Sequence, residues 1–417
     1  MGILQFFIHV LEIVCFIYLG FASLYIFFFA AAGMFRMHKK INPVRINRKM
    51  AVLIPGYKED SVILEVANAS LQQTYPSELF DIVIIADSFQ PETIAALKEL
   101  PVKLVEVAFK KSTKSKALNW AMADLGDDYQ IAVVLDADNI MAPDFLDKMN
   151  RAFDSGFIAV QGHRIAKNMN NSMAVLDSIS EEINNHIFRK GHRAVGLSSA
   201  LIGSGMAFDY NMFKKRMAEI QAIGGFDKEL ELTMLRDGIR IEYLEDALVL
   251  DEKVQKTAVF ENQRRRWLSA QFLYFRRFAW NGIVQFFSHH NIDFLDKVYQ
   301  MIQPPRILLL GLVTVITASL GIAFLIDSVT VKGLLVLDLI PWIGLWLMTV
   351  LAFVFSVPGK FYTKKTLLAI LMLPMGFWLM VKSLLKLKGA NKTFIHTEHG
   401  VKDAKDNINE IGKEQNT

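Results

Sequence analysis

Apolar residues divide this 417-residue chain into a central block that carries the polar motifs and two apolar ends. Residues 3–35 form an almost unbroken apolar run, and roughly 20 such residues suffice to cross a bilayer as a helix. The run is too long for the core of a secretory signal peptide. We therefore predict a membrane-spanning helix over residues 1–35. His9 and Glu12 share one face of it, and we expect them to extend towards the outer interface unless they form a polar site between helices.

The basic residues that follow indicate the orientation of the central block. Lysines and arginines are concentrated between Arg36 and Lys49. Because the cytoplasmic flanks of membrane helices carry an excess of these residues, 36–48 is predicted to be a basic cytoplasmic linker. The only cysteine, Cys15, lies in the apolar run, which excludes an intramolecular disulfide. The sequence thus predicts an integral protein of the inner (plasma) membrane with its main domain in the cytoplasm.

Apolar runs return after the central block. Residues 307–326 and 334–357 are each long enough to span a bilayer, and a shorter run over 367–381 is broken by Pro374. Basic residues flank this last run on both sides, which favours a re-entrant or interfacial segment over a third C-terminal span. The units predicted after the block are an interfacial helix with these membrane segments over 291–390 and a polar tail over 391–417.

The pattern of residues 49–290 is that of an α/β domain. Short β-branched and aliphatic runs, such as 52–54, 82–85 and 131–135, alternate with stretches of helical character. This alternation is typical of a mostly parallel sheet covered by helices. Hydrophobic residues make up 52% of the chain, which is high for a soluble enzyme and low for a transporter. The formal net charge of +4 is small for this length and does not indicate nucleic-acid binding.

Polar residues follow two of the predicted strands at the edge where a ligand would bind. In an open parallel sheet, ligands bind beyond the carboxyl ends of the strands. Pro55, Tyr57 and Glu59 follow the first strand, and Asp87 ends the next. The turn after Pro55 would expose backbone to a nucleotide, with Tyr57 beside a base and Glu59 accepting hydrogen bonds. An ordinary strand-to-helix loop would have the same pattern.

Asp136 and Asp138 are the sharpest chemical signal in the sequence. They close the apolar run 131–135, and residues two apart on a strand share one face. A hard divalent ion binds carboxylate and phosphate oxygens together, so Mg²⁺ or Mn²⁺ at this pair would neutralise a diphosphate leaving group. Lys114 begins a predicted helix, where a cation is unfavourable unless an anion such as a diphosphate is bound or the face is solvated.

Two later segments offer residues that would bind the acceptor of a sugar-transfer reaction in which the diphosphate leaves. Gly203, Ser204 and Gly205 form a glycine-rich turn that would let the backbone approach an acceptor sugar, or that serves only the turn. Transfer of a sugar to a hydroxyl needs a general base within hydrogen-bond reach of that hydroxyl. Glu229 or Asp227 offers this base, unless these acids only cap a helix.

A cationic and aromatic cluster precedes the C-terminal apolar segments. Residues 263–267 read Gln-Arg-Arg-Arg-Trp. The guanidinium groups would bind diphosphate oxygens, and the indole face would stack on a sugar. A basic amphipathic helix lying on lipid headgroups would have the same composition, and the two roles are compatible.

In the order in which they occur, these motifs resemble those of the membrane-bound family 2 glycosyltransferases, which include cellulose, hyaluronan and chitin synthases and ceramide glucosyltransferase. The resemblance extends from about residue 50 to residue 267, and the flanking apolar segments fit it as well. It implies a GT-A fold with a mixed, mostly parallel sheet, a UDP-sugar donor, a divalent metal and inversion at the anomeric carbon.

The resemblance also implies roles for residues at matching positions. The residues matched to the donor site are Pro55, Tyr57, Glu59, Asp87, Lys114 and Asp136, with Asp138 as the metal ligand. Those matched to the acceptor site are Gly203, Ser204, Gly205, Gln263 and Trp267, and Arg266 would help the metal to stabilise the departing UDP.

Thr113 stands in place of a family glycine before Lys114, and a second departure from the family pattern concerns the catalytic base. The usual Thr-Glu-Asp falls on Asp227-Lys228-Glu229, so Glu229 stands where the family has its catalytic aspartate. The resemblance therefore implies Glu229 as the base, with Glu231 or Asp246 in its place if the alignment shifts.

The sequence predicts an inverting, metal-dependent glycosyltransferase that moves a sugar from UDP to a polysaccharide or glycan acceptor at the membrane. Single transfer to a membrane lipid is the alternative within this class, because few spans follow the domain for a polymer channel. An inactive scaffold or partner of a polysaccharide export system is the alternative from another class. The glutamate at the base position favours a scaffold slightly, whereas the intact Asp-x-Asp and Gln-x-x-Arg-Trp motifs argue against it.

Overall fold

The computed structural model describes residues 2–35, 45–220, 224–253, 257–326 and 335–386. The polar tail and most of the predicted basic linker lie outside the described residues. An apolar helix of 32 residues, α1 (Ile3–Met34), precedes the α/β domain.

The described part of the domain contains one sheet of eight strands. They are β1 (Met50–Tyr57), β2 (Phe80–Asp87), β3 (Lys103–Val107), β4 (Ile131–Val134), β5 (Ile140–Met141), β6 (Ala159–Ala166), β7 (Met206–Asp209) and β8 (Glu242–Asp251). Their order is β3-β2-β1-β4-β7-β6-β8-β5. Four neighbouring pairs are parallel and three are antiparallel, which confirms the predicted mixed, mostly parallel sheet.

Helices cover both faces of the sheet. They are α2 (Ile63–Ser70), α3 (Pro91–Lys98), α4 (Lys114–Leu125), α5 (Phe145–Asp154), α6 (Ser172–Asn184), α7 (His192–Ala194), α8 (Tyr210–Glu219), α9 (Phe226–Arg236), α10 (Thr257–His289) and α11 (Ile292–Gln300). A π-helical segment, Asn185–Gly191, joins α6 to α7, and a 3₁₀ turn, Ser77–Leu79, precedes β2. Alternate residues of β1 enter two separate cores, Leu53 in one and Val52 and Ile54 in the other, as expected for a strand buried on both faces.

The C-terminal part is helical and apolar. It contains α12 (Arg306–Leu325), α13 (Leu339–Ser356), a 3₁₀ turn (Gly359–Phe361), α14 (Lys364–Ile370) and α15 (Leu373–Leu385). Among the described residues, α1, α12 and α13 are long and apolar enough to cross a membrane. The last apolar run is broken, because α14 and α15 meet at an angle of 44°. Pro374 does not interrupt a helix there but lies in the first turn of α15, where its missing N–H is tolerated.

The N-terminal helix packs between the domain and the apolar helices. Glu12 is buried, and its carboxylate accepts hydrogen bonds from the N–H groups of Val336 (2.7 Å) and Leu337 (3.1 Å). Its polar partners therefore lie in the segment that precedes α13 rather than in another helix. Gly191 contacts α1 so closely that an added Cβ would overlap the carbonyl oxygen of Phe29.

Candidate functional site

The carboxyl ends of β1 and β2 form one side of a cavity. The two strands end in register, so that Tyr57 lies beside Asp87. The next residue after each strand, Lys58 or Ser88, has a left-handed φ of 56° or 61°, a conformation that non-glycine residues adopt where the backbone must turn sharply. Asp87 is buried and accepts a hydrogen bond of 3.0 Å from the Ser88 hydroxyl. The cavity is lined by all four residues predicted here for the donor: Pro55, Tyr57, Glu59 and Asp87.

Asp136 and Lys114 form an ion pair at the same edge. Lys114 Nζ lies 2.5 Å from Asp136 Oδ1 and donates to the carbonyl oxygen of Gly203 at 2.7 Å. The backbone N–H of Asp136 donates to Ser204 Oγ at 2.9 Å. Gly203 and Gly205 have φ values of 85° and 62°, which glycine adopts without a steric penalty. The glycine-rich turn predicted for the acceptor therefore also holds the donor side in place.

Asp138 lies at the cavity and offers carboxylate oxygens to a cation. Its neighbour Asn139 donates through Nδ2 to Asp138 Oδ1 (3.2 Å) and to Asp251 Oδ1 (3.0 Å), so two carboxylates lie side by side. These oxygens suit Mg²⁺ or Mn²⁺, which keep water and substrate phosphates as further ligands. The described residues contain no cluster of three or more His, Cys, Asp or Glu side chains able to hold a metal. The donor diphosphate would therefore have to complete the coordination.

A buried network of ions that the sequence did not reveal supports this side of the cavity. Arg164 lies 3.0 Å from Glu181, 3.5 Å from Asp251 and 4.0 Å from Asp136, and Lys253 lies 2.7 Å from Asp251. Burial alone would raise the pKa of the Glu181 carboxyl, but Arg164 and Lys253 hold that pKa below its ordinary value. The members are far apart in the chain, so no local motif identifies them.

The first turn of α9 carries two candidates for the general base, and they point in different directions. Asp227 lines the cavity beside Gly203, and burial raises the pKa of its carboxyl, as is common for catalytic acids and bases. Glu229 is buried against α10, where its carboxylate lies 2.5 Å from Arg277 Nη1 and 3.4 Å from the Tyr274 hydroxyl. The structure thus brings Asp227 to the cavity, whereas the carboxylate of Glu229 is engaged on α10.

The two remaining acids that the sequence offered as a base lie elsewhere. Glu231 is fully buried, 2.7 Å from Lys297 and 3.3 Å from Lys228. Asp246 lies on β8 with 67% of its side chain exposed, 3.9 Å from Lys148. Neither residue is part of the cavity lining.

The Gln-Arg-Arg-Arg-Trp motif lies on α10 and faces the cavity. Gln263, Arg266 and Trp267 are three and four residues apart, which places them on one helical face, and all three line the cavity. Arg264 donates to Asp177 at 2.7 Å, and its guanidinium lies over the Trp267 ring, 4.5 Å from the ring centre. Burial lowers the pKa of Arg266. The cations and the indole thus line the same cavity as the strand ends.

One cavity of about 1700 Å³ joins these elements to the C-terminal helices. Its far end lies among α12, α13, α14 and α15. Most of the side chains that line this end are aliphatic or aromatic, for example Ile307, Leu310, Val350, Phe353, Leu373 and Met380, and the polar ones include Arg306 and Thr366. The sequence predicted both the polar motifs and the apolar helices, but not that a single cavity connects them.

Solved structures with a similar fold are glycosyltransferases. The chain is similar to the mannosyltransferase PcManGT from Pyrobaculum calidifontis in complex with GDP-Man and Mn²⁺, with a TM-score of 0.51 and 15% identity over 85% of this chain and 97% of that one. It is also similar to residues 1–349 of TarS from S. aureus in complex with UDP-GlcNAc, with a TM-score of 0.40 and 13% identity over 82% of this chain and 90% of that one. The similarity to the mannosyltransferase confirms the predicted GT-A fold.

The sequence also matches a protein family over the domain that carries the site. No curated protein sequence matches the chain. Residues 47–270, more than half of the chain, match the family described as glycosyltransferase like family 2. This segment contains every motif from Pro55 to Trp267, and the chain therefore belongs to glycosyltransferase family 2.

Proposed function

We propose that the protein is a membrane glycosyltransferase that moves a hexose from a UDP-sugar to an acceptor held by its apolar helices. The observation that carries this proposal is the single cavity lined by the donor motifs at one end and by apolar side chains of α12–α15 at the other. The similar mannosyltransferase holds GDP-Man and Mn²⁺, which supports a nucleotide-sugar donor and a divalent cation. The basic linker predicted after α1 supports a cytoplasmic position for the domain.

The donor would bind between the strand ends and α10. Tyr57 and Asp87, side by side at the ends of β1 and β2, would hold the nucleoside, and Lys114 and Arg266 would bind its diphosphate from opposite sides. Asp138 would hold Mg²⁺ or Mn²⁺, which when bound neutralises charge on the leaving diphosphate. Trp267 would cover the sugar.

Asp227 would act as the general base on the acceptor side. Its carboxylate would take the proton of the acceptor hydroxyl while that oxygen forms a bond to the anomeric carbon and the bond to UDP breaks. The raised pKa of Asp227 makes the carboxylate a better proton acceptor than an ordinary aspartate. A single displacement of this kind inverts the anomeric configuration. Glu229, predicted from the family pattern, is the rival base, and the two are separated by experiment below.

The far end of the cavity favours a lipid over a polysaccharide as the acceptor. A passage for a polymer of sugars needs hydroxyl-binding groups along its length, whereas the side chains that α12 and α13 contribute beyond Arg306 are apolar. Single transfer to a lipid that enters from the bilayer fits this lining better than processive synthesis.

Release of UDP by the full chain in vesicles tests the proposal, across a panel of UDP-sugars with Mg²⁺ or Mn²⁺. We expect release with one sugar and a loss of about 10²-fold or more in Asp138→Asn, because the charge that stabilises the transition state is removed. Asp144→Asn is the matched control, since Asp144 is bonded to Lys148 on α5 and lies outside the cavity lining.

Product mass and donor binding distinguish the alternatives. One added hexose on an extracted lipid supports the lipid acceptor, whereas a ladder of sugars supports polysaccharide synthesis. Binding of a UDP-sugar without release of UDP in any membrane lipid mixture would support the inactive scaffold instead.

A further inference from the structure

The apolar end of the cavity contains a cation that the transfer reaction does not use. Arg306 begins α12 directly after Pro305 and lines the cavity. Its Nη2 donates to the carbonyl oxygen (3.1 Å) and the hydroxyl (3.2 Å) of Ser180. Its Nη1 is buried and has no hydrogen-bond partner in the part of the chain that the structure describes. A buried guanidinium nitrogen without a hydrogen bond costs free energy. Its presence in a cavity wall therefore indicates a ligand that accepts a hydrogen bond from it.

Two further donors lie around the same end. Gln303 lines the cavity, and its buried Nε2 lies beside the Tyr299 hydroxyl. Arg264 is bonded to Asp177, which lies one turn before Ser180 on α6. Since residues three apart share a helical face, α6 anchors Arg264 and Arg306 side by side.

The charges near Arg306 do not neutralise it. Asp177 is paired with Arg264 at 2.7 Å, and Glu181 is paired with Arg164 at 3.0 Å and with Arg189 at 3.6 Å. None of the ion pairs among the described residues includes Arg306. An anion would therefore find a positive charge, a buried guanidinium nitrogen without a hydrogen-bond partner among the described residues and an apolar surrounding in which charge-assisted hydrogen bonds are strong.

We propose that Arg306, Gln303 and Arg264 bind the phosphate of a phospholipid acceptor. Its acyl chains would lie among α12–α15, and a hydroxyl on its headgroup would extend along the cavity towards Asp227. The ligand class is an anionic phosphodiester lipid with a free headgroup hydroxyl, of which phosphatidylglycerol is the simplest. The inference rests on the proposed function in one respect, that the acceptor comes from the bilayer, and adds the chemistry by which it is recognised.

Lipid retention by the full chain tests the proposal. Vesicles contain phosphatidylcholine with either phosphatidylglycerol or diacylglycerol, and native mass spectrometry counts the lipid that stays bound. We expect retention of phosphatidylglycerol, lowered at least about tenfold in Arg306→Gln, because a charge-assisted hydrogen bond is lost. Arg306→Lys keeps the charge and should retain an intermediate amount. Arg276→Gln is the matched control, since Arg276 is exposed on α10 outside the cavity, and should bind as wild type.

The outcomes separate this proposal from the proposed function. UDP binding, measured on each variant, reports whether the chain is folded. Equal retention of phosphatidylglycerol by wild type and Arg306→Gln would overturn the proposal, and so would displacement of the lipid by glycerol phosphate, which would make a soluble anion the ligand. UDP release with diacylglycerol but no bound phosphatidylglycerol would overturn the proposed recognition of a lipid phosphate. The proposed transferase function would still stand. Arginine-dependent lipid binding without UDP release from any UDP-sugar would support the subsite and refute the proposed function.

Discussion

Substitution of Asp227 and Glu229 separates the two candidate bases. Both belong to the first turn of α9, and the family pattern assigns the base to Glu229. Asp227 lines the cavity, whereas Glu229 is bonded to Arg277 and Tyr274 on α10. We therefore expect Asp227→Asn to remove turnover while UDP still binds, and Glu229→Gln to keep most of the turnover.

The expected magnitudes differ enough to decide between them. Loss of a general base lowers turnover by about 10²–10⁴-fold. In Glu229→Gln the main loss is the ion pair with Arg277, whose side chain is 56% exposed. Solvent screens the Arg277 side of this pair, but Glu229 is only 4% exposed, so loss of the pair should cost about 1–2 kcal/mol of stability. Because the fold is kept, turnover should fall by no more than a few-fold.

Dependence on pH gives a second test of Asp227. Burial raises the pKa of its carboxyl, and only the ionised form accepts a proton, so kcat/KM should fall with acidification at a pH above the ordinary aspartate value of about 3.9. A carboxyl with a raised pKa binds its proton more tightly in the folded state than in the unfolded chain. It therefore contributes stability below the unfolded pKa and loses it as pH rises through the folded pKa. Asp227→Asn, which carries no charge, should be inactive yet at least as stable as wild type at neutral pH.

The assay is the initial rate of UDP release from the full chain in vesicles, measured over a range of pH together with UDP affinity and the thermal midpoint. A variant that loses turnover but keeps UDP affinity has lost a chemical step rather than the fold. Suppose that Glu229→Gln abolished UDP release, while Asp227→Asn preserved both the rate and the fall of kcat/KM at low pH. The assignment of the base from cavity geometry would then be wrong.

Three further predictions concern stability. Lys297→Met leaves buried Glu231 with Lys228 at 3.3 Å as its remaining ion-pair partner, and should cost about 3 kcal/mol, the low end for a broken buried pair, seen as a lower thermal midpoint that the double variant Glu231→Gln/Lys297→Met largely restores. Gly191→Ala places a Cβ against the carbonyl oxygen of Phe29 and should destabilise by about 1–3 kcal/mol, whereas Gly20→Ala, on α1 with open space around it, should leave the midpoint unchanged. Chelation of divalent cations should abolish UDP release without lowering the midpoint, because the described residues contain no complete metal site of their own; a lower midpoint would indicate a structural metal instead.

The sequence predicted the site residues that a local motif encodes, and it missed those that depend on contacts between residues distant in the chain. Asp87 and Asp136 were predictable because each directly follows an apolar run, and parallel strands bring such ends to one edge. The orientation of Asp227 was not, because it depends on how α9 packs against α10, which no motif encodes. In the sequence, Arg306 only precedes the apolar run 307–326, and no motif there indicates a ligand. Only the fold brings it to Ser180, more than a hundred residues earlier in the chain.

The helix that carries the proposed base is tied to the N-terminal apolar helix through buried polar contacts. Glu231 on α9 lies 2.7 Å from Lys297 on α11, and Lys297 donates to Gln300 at 2.7 Å. The amide nitrogen of Gln300 lies 3.0 Å from His192 Nε2, and the Tyr25 hydroxyl of α1 lies 2.9 Å from the same nitrogen. These groups satisfy one another, and removing one partner leaves the others buried and unpaired.

A fragment that ends at residue 290, where the sequence predicts the end of the α/β domain, would lack Lys297 and Gln300 and so interrupt this series of contacts. We expect a fragment of residues 45–290 to be destabilised, because Glu231 would lose Lys297 while its surroundings remain apolar. A fragment of residues 45–305 keeps α11 and the ion pair, and should resist proteolysis better than the shorter one. Equal resistance of the two fragments would mean that α9 is positioned by the domain alone. The difference we expect would mean instead that α11, the helix that precedes the apolar segments, is needed to position α9 and with it the proposed base.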